Sequence, residues 1–575
     1  MNAIAGSSVA LALPTRRQAL VFEAKAWVFR LRRMLVDACD GGRPRRQAHA
    51  ASLVDAPVLA EFEGPLWPQD EADPLLVAGK LQNLRRALRH LDGIEVGAGR
   101  TFGFWKQVGR ATRSRGYTLG RELREGCVIP AIGGGLCQLS NAIHDSAVRA
   151  GLDVVERHRH SRTLPGSMAE QDLDATVFWN YLDLRLRAPF AWRLEISMDA
   201  QRLLLRIRGQ RPTTASAWPL AVQPRRPVDV ANDCGSCGQD ACHRHVGPRA
   251  DGLRRAWWME EAWPEFVAHL RQQRDDGDVV FGTDGHRLPA QALPRRALQS
   301  LAWRYRRRQG QALPQVRLAQ LQQHARDLAR SVQARDVELV LPQSLLPFLW
   351  RDGELAGRRY AVMMTALPMT QLQAELDRAS RRHPDCHSLR DFRADPALVE
   401  AERQGLLAAD AWLSPHAQVL ALAGARAQAL PWALPAPLTR AAAVHPARPS
   451  VYFPASALAR KGIFSLLEAL HDEDVDIVLP PGDSERGLDS GRARLRRVAS
   501  WHEGLLQADV VALPAWVEHQ PRALLGAIAS GVPVVATPAC GLDASLAWQS
   551  VDAGDVPALR AAVLHALDTS AATRR

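Results

Sequence analysis

From about residue 278 onward the chain repeats one pattern: a short apolar run, a turn, then a helical stretch. The runs are DVVFG, DVELVLP, RYAVMMT, DAWLSP, SVYFPAS, DVDIVLP, ADVVALPA and GVPVVATP. Runs of this length are too short for helices, and the intervening stretches are long enough to cross over a sheet, so they read as parallel strands. The number of runs suits two doubly wound α/β domains. The first half has a different texture. There the stretch 176–208 alternates apolar and polar residues (TVFWNYLDLRLRAPF, WRLEISM, QRLLLRIRG) and reads as antiparallel strands. A helix, 75–91, precedes it, and CVIPAIGGG, LCQLSNAIHDSAVRAG and LDVVERHRHS read as strand, glycine loop with helix, and strand. The expected fold class is therefore mixed: an α+β domain, a linker carrying a cysteine cluster, and two Rossmann-like domains.

The expected boundaries are a basic helical region and linker at 1–69, the α+β domain at 70–211, a Pro-rich linker with the cysteine cluster at 212–256, and α/β domains at 257–445 and 446–575. At the start of the first of these α/β domains, Trp257–Gln273 reads as a helix. Residues 15–39 read as a basic amphipathic helix with Leu20, Val21, Ala24, Trp27, Val28, Leu31 and Leu35 near helical spacing. The simpler reading is a helix that packs its apolar stripe inward; the other is a helix lying on a membrane surface.

The chain has 575 residues and a net charge of +12, with a sequence pI of about 9.8. The charge is spread along the chain and only four of the 73 basic residues are lysine (Lys25, Lys80, Lys106, Lys461). Scattered arginine without a recognition motif argues against specific nucleic-acid binding and leaves a general attraction to anionic substrates or head groups. The apolar opening MNAIAGSSVALALP lacks a preceding basic residue, so it is not read as a signal peptide. No apolar run reaches the roughly 18–20 residues needed to cross a bilayer. Eight cysteines in this length do not make a disulfide scaffold, and the expected compartment is the cytoplasm.

GGGLCQLS puts Cys137 at the start of a helix directly after Gly133, Gly134 and Gly135. Free backbone N–H groups and the positive end of the helix favour a thiolate there. Glycines let backbone approach whatever is bound. His158 and His160 follow at the end of the next strand, and Asp174 opens another expected strand, DATVFW. Cysteine at a helix start, then histidine, then aspartate is the order of papain-like and transglutaminase-like thiol enzymes. The alternative is a glycine turn with a buried structural cysteine.

From Lys80 to Asp183, the pieces KLQNLRRAL, FGFWKQVGRAT, RGYTLG, IGGGLCQLSNAI, GLDVVERHRHS and DATVFW resemble the VanW-like family. The resemblance implies a site at Gly133, Gly134, Gly135, Cys137, Gln138, Arg157, His160, Ser161 and Asp174.

NDCGSCGQDACHRH carries Cys234, Cys237 and Cys242 with His243 and His245 behind them. This half-site plus a Cys-His pair suits a structural zinc ion, with an iron–sulfur cluster, or a cluster that binds no metal, as the alternatives.

In the C-terminal quarter, VYFPASALARKGIFSLLEAL, WHEGLLQADVVALPAWVEHQP and PRALLGAIASGVPVVATPACGL follow one another. Sugar transfer from a nucleotide donor needs cations near the diphosphate, acids on sugar or ribose hydroxyls, and a cleft between α/β domains. This order resembles the GT-B glycosyltransferases of the group 1 family over 451–570 and, more weakly, 278–440. The resemblance implies that Lys461 is the donor-phosphate lysine, with Arg460 beside it, and that Glu518 is the first of a pair of glutamates. Gly526 stands where the second glutamate belongs, and Ser456 where an arginine belongs. His416 in LSPHAQV reads as a solvated loop residue. The functional expectation is transfer of a sugar from a nucleotide donor to a glycan, lipid or peptide acceptor in envelope or surface-glycan metabolism. Its alternatives are a non-catalytic binding protein and a thiol-dependent enzyme using Cys137, His160 and Asp174. Peripheral membrane contact belongs among the expected partners.

Overall fold

The computed structural model describes residues 15–39, 44–67, 73–124, 127–161, 163, 166–210, 232–234, 241–242, 244, 252–259, 263–282, 313–438 and 448–574. The chain divides into two compact units. One holds residues 1–255 with 332–338 and 352–359, the other 256–331, 339–351 and 360–575.

The first unit is built on a five-stranded antiparallel sheet. Its order is Ala48–His49, Ile94–Val96, Trp192–Met198, Arg202–Gly209, Val58–Pro65. Strand alternation works as expected: Trp192, Leu194 and Ile196 on one strand and Leu203, Leu205 and Ile207 on its neighbour are buried. Helix Pro74–Leu91 starts with Asp73 accepting from the Leu75 N–H, and with proline at its first position. It buries Leu81, Leu84, Leu88 and Leu91 in the same core. Helix Leu136–Ala150 packs on the strands Val58–Pro65 and Arg202–Gly209. A second small sheet orders Thr101–Gly103, Arg185–Arg187 and Asp153–Glu156, and the hairpin Leu119–Arg124 with Cys127–Ile132 leads into the glycine loop.

Two local expectations fail here. Residues 174–177 form no strand; side chains of the neighbouring helix hold the Ala175 N–H and carbonyl, Arg157 holds the Asp174 carbonyl, and a single backbone bond runs from the Thr176 N–H to the His158 carbonyl. Helix Arg16–Cys39 turns its expected packing stripe outward: of its residues only Ala26 is buried.

Two six-stranded sheets follow, the second wholly and the first for most of its residues in the second unit. One runs Val279–Gly282, Arg254–Met259, Asp336–Pro342, Arg359–Met363, Ala411–Ser414, Ala427–Ala429, an order of 2-1-3-4-5-6. Residues 257–259 are thus strand where a helix was expected. The apolar run AWWM fits either state, and Pro264 starts the helix Pro264–Gln273 only after it. The other sheet is parallel throughout and runs Arg494–Arg497, Asp476–Leu479, Ser450–Tyr452, Val510–Leu513, Val534–Ala536, Gln549–Ser550. Its order, 3-2-1-4-5-6, is the doubly wound order, with the switch point between Ser450–Tyr452 and Val510–Leu513. Both sheets are Rossmann-like.

Candidate functional site

Cys137 is the second residue of its helix, which begins after Gly135 in the left-handed conformation. Three side chains one to two turns on fasten this helix to the segment 173–177. Ser140 Oγ donates to the Ala175 carbonyl at 2.6 Å, Asn141 Oδ1 accepts from the Ala175 N–H at 2.7 Å, and His144 Nδ1 lies 2.9 Å from the Leu173 carbonyl. That clamp brings Asp174 beside the thiol helix. His160 then meets Asp174 twice: its backbone N–H donates to Oδ2 at 2.6 Å and its Nδ1 lies 2.8 Å from the same oxygen. The Cys137 thiol lies next to the same imidazole, close enough to favour its charged form, and its Sγ lies 3.9 Å from the Val177 carbonyl. With Nδ1 committed to the carboxylate, Nε2 is the nitrogen available to the thiol.

The electrostatics follow. Burial disfavours the charged ring of His160, but its hydrogen bonds to Asp174 and Cys137 outweigh this and raise its pKa to about 9. Burial likewise opposes the Asp174 carboxylate, and the hydrogen bonds from His160 hold it down to about 2. At neutral pH the pair is an imidazolium on a carboxylate. A cysteine at a helix N-terminus beside an imidazolium has the surroundings of a reactive thiol.

Arg157, implied as a substrate contact, spends its guanidinium on this scaffold. It donates to Asp174 Oδ1 at 3.0 Å, to the Asp174 carbonyl at 2.7 Å and to Asp172. Gln138 Nε2 donates to the Pro65 carbonyl at 2.7 Å, and Ser161 is exposed. His158 turns to Glu156 instead, at 3.0 Å.

The expected donor residues also meet. Lys461 follows the first strand of the 3-2-1-4-5-6 sheet and Glu518 its fourth, so they flank the switch point. Lys461 Nζ donates to Glu518 Oε2 at 2.9 Å and to the Val517 carbonyl at 3.1 Å. Burial works against the Glu518 carboxylate, and Lys461 holds it below the usual range. Arg460 reaches the other way, to Asp391 Oδ2 at 2.7 Å. At Gly526 a Cβ would lie 3.4 Å from the Trp501 ring, so an indole stands near the place of the absent glutamate. His416 is buried rather than solvated; its Nε2 lies 2.9 Å from the Glu518 carbonyl. Burial pushes the neighbouring His519 down to about 3.

Residues 79–208 match the family model described as "VanW like protein". This part of the chain is a VanW-like domain. "Uncharacterized protein YoaR" of Bacillus subtilis is 33% identical over 105 residues, 18% of this chain and 34% of that protein. "Vancomycin B-type resistance protein VanW" of Enterococcus faecalis is 26% identical over 137 residues, 23% of this chain and 50% of that protein. The chain thus spans about a third to a half of the length of these curated relatives. Over the C-terminal part the similar solved structures are glycosyltransferases. "Sucrose-phosphate synthase" from Thermosynechococcus elongatus is 15% identical with a TM-score of 0.36, covering 56% of this chain and 90% of its own. The Rossmann-like assignment rests on the strand orders described above.

Inside the VanW-like domain the three glycines serve the fold itself. A Cβ on Gly134 would collide with the Gly120 carbonyl, one on Gly135 with the Lys80 stem, and one on Gly133 with the Ala111 methyl. Close backbone approach was expected, but the backbone approached is the chain's own. Asn83 completes this packing: its Nδ2 donates to the Thr118 and Gly134 carbonyls at 3.0 and 2.9 Å, and its Oδ1 accepts from the Thr118 N–H at 2.8 Å. Sequence reasoning passed over Asn83, Ser140, Asn141 and His144. The signal available was polar residues on the inner faces of two otherwise apolar helices.

Of the expected metal ligands, Cys237, His243 and His245 lie outside the described residues. Cys234 is buried with Sγ 3.2 Å from the Arg244 carbonyl, and Cys242 is half-buried. Among the described residues no group of three or more His, Cys, Asp or Glu side chains is placed to hold a metal. No helix among them is long and apolar enough to cross a membrane.

Proposed function

We propose that the VanW-like domain is a thiol-dependent enzyme acting on an acyl carbon. The observation that carries this reading is His160, held between the Cys137 thiol and Asp174 Oδ2, 2.8 Å from Nδ1. In this reading the Cys137 proton passes to His160 Nε2, and Sγ attacks a carbonyl carbon and forms a thioester as the leaving group departs. His160 Nε2 gives the leaving group its proton. It then takes a proton from the water or amine that displaces the thioester, which releases Cys137 Sγ and restores the cysteine–histidine pair that began the cycle. Asp174 keeps the ring oriented and compensates its charge, and Arg157 is a positioning residue for Asp174. The test is alkylation by iodoacetamide at neutral pH, read by mass on the Cys137 peptide. Labelling should run at least about tenfold faster than a model thiol. His160→Ala should slow it, while the fold, followed by circular dichroism, stays intact. Labelling no faster than a model thiol removes the reading.

A second reading concerns the C-terminal domain, where Lys461 and Glu518 flank the switch point of the sheet. Ligands of open α/β sheets bind at that place, and a lysine there suits a diphosphate. We infer a nucleotide-sugar site. Thermal-shift titration of the whole chain with UDP-, GDP- and CMP-sugars should find one that stabilises it, with the shift lost in Lys461→Ala. Equal behaviour of wild type and variant would sink this reading.

A further inference from the structure

Helix Arg16–Cys39 is attached to its unit by the side that sequence patterning would have turned to water. Arg33 donates to Glu156 at 2.7 Å and to the Tyr181 carbonyl at 3.0 Å, Arg30 donates to the Trp179 carbonyl at 2.7 Å, and Asp37 accepts both bonds from Arg185 at 2.8 Å. Two aromatics on the same side complete the attachment: Phe22 meets Phe178 edge-on at 6.3 Å and Phe29 stacks on Tyr181 at 5.9 Å. The apolar stripe therefore faces solvent. Leu20 is 72% exposed, Trp27 67%, Val28 65% and Leu35 62%, with Leu31 between them also exposed. Four cations border the stripe, Arg16, Arg17, Lys25 and Arg32, all exposed. The acids of this helix are Glu23, which lies 4.0 Å from Arg124, and Asp37, already bonded to Arg185.

An outward stripe of leucine, valine and tryptophan edged by arginine and lysine has the composition of a helix lying in a lipid interface. Charge decides between occupants. Two copies meeting through this face would bring eight cations together, whereas an anionic bilayer complements them, each contributing favourably near such a surface. We propose that helix Arg16–Cys39 docks this protein on anionic membranes, with Leu20, Trp27, Leu31 and Leu35 in the acyl boundary and the four cations among the head groups. The partners of this helix, Phe178, Trp179 and Tyr181, follow directly on Val177, whose carbonyl lies beside Cys137 Sγ. Docking would therefore hold the thiol site within roughly one helix diameter of the lipid surface, where an acyl substrate carried by a membrane anchor could reach it. The docking itself stands whether or not Cys137 is a nucleophile.

The test is cosedimentation of the full chain with vesicles of phosphatidylcholine alone or with a third of phosphatidylglycerol. Binding to the anionic vesicles should be at least about tenfold tighter and should weaken with salt. Leu20→Glu with Trp27→Glu and Leu31→Glu should abolish it, and Arg17→Gln with Lys25→Gln and Arg32→Gln should cut it about tenfold or more. Since these side chains face solvent, unchanged circular dichroism and an unchanged Cys137 alkylation rate verify that both variants are folded. Failure to bind anionic vesicles, binding that ignores both triple variants, or a dimer in solution that the apolar variant dissociates would each overturn the proposal.

Discussion

The thiol cluster and the Lys461–Glu518 pair each place a cation on a partly or fully buried carboxylate, yet they are wired to different ends. In the first, the cation is a ring with a second nitrogen left over: Asp174 takes Nδ1 and the thiol takes the other side. In the second, the ammonium and the carboxylate close on each other, and Arg460 beside them is drawn to Asp391. An imidazole can be held and still transfer a proton, whereas a lysine paired with a carboxylate must exchange that partner for a phosphate before it can bind a donor. The first arrangement is ready for chemistry as it stands; the second must rearrange to accept a ligand.

The largest expected effect tests how far the thiol site depends on its scaffold. Gly134→Ala forces a methyl onto the Gly120 carbonyl and should cost at least about 3 kcal/mol in urea unfolding of the domain. A smaller cost would mean that the loop has slack and that the thiol is less firmly placed than described.

Next comes the protonation of His160. Its folded pKa of about 9 lies above the ordinary 6.5. The stabilisation from its charge is therefore complete below about pH 6.5 and lost as pH rises through about 9. The stability difference between wild type and His160→Gln should narrow by about 2–3 kcal/mol between about pH 7 and pH 10. A flat difference would separate the ring from its carboxylate.

For the closed pair, Lys461→Ala strands the Glu518 carboxylate and should cost about 2 kcal/mol, with most of that recovered on adding Glu518→Gln. If the single variant is neutral, the pair is open enough to accept a ligand unaided, and the contrast with the thiol site collapses. The smallest effect is Gly526→Ala. This position lies inside helix Arg522–Ala529, and the added methyl meets Trp501 at 3.4 Å, close to ordinary contact. Helix propensity should make it neutral to stabilising by less than about 1 kcal/mol, measured by thermal unfolding. A clear loss would mean that Trp501 needs this space.

Much of the fold was legible because its signals are local. All eight apolar runs from DVVFG to GVPVVATP are strands, since a short run that is apolar throughout has few other ways to bury itself. AWWM was misread because a run of that length fits helix or strand equally until neighbouring strands choose. Residues 174–177 were misread as a strand because their partners are mostly side chains, of the thiol helix at Ala175 and of Arg157 at Asp174, with only one backbone bond, from Thr176 to His158. Cys137, His160 and Asp174 could be named from their order, and the structure brings the three together. Ser140, Asn141, His144 and Asn83, which hold them there, could not be named, because a polar residue inside a helix has no local signature of what it will meet.

By itself the sequence determined the antiparallel first half, the repeated strands of the second, and the position of a cysteine at a helix start after three glycines. These follow from periodicity, chain stiffness and backbone freedom, all properties of neighbouring residues. Tertiary structure alone decided which polar groups meet across long separations: that Arg157 braces Asp174, that Lys461 closes on Glu518, and that helix Arg16–Cys39 packs by its arginines and leaves its leucines in solvent. Hydrophobic patterning says that an apolar stripe must be covered. It does not say by what, because that depends on surfaces brought together by the rest of the chain.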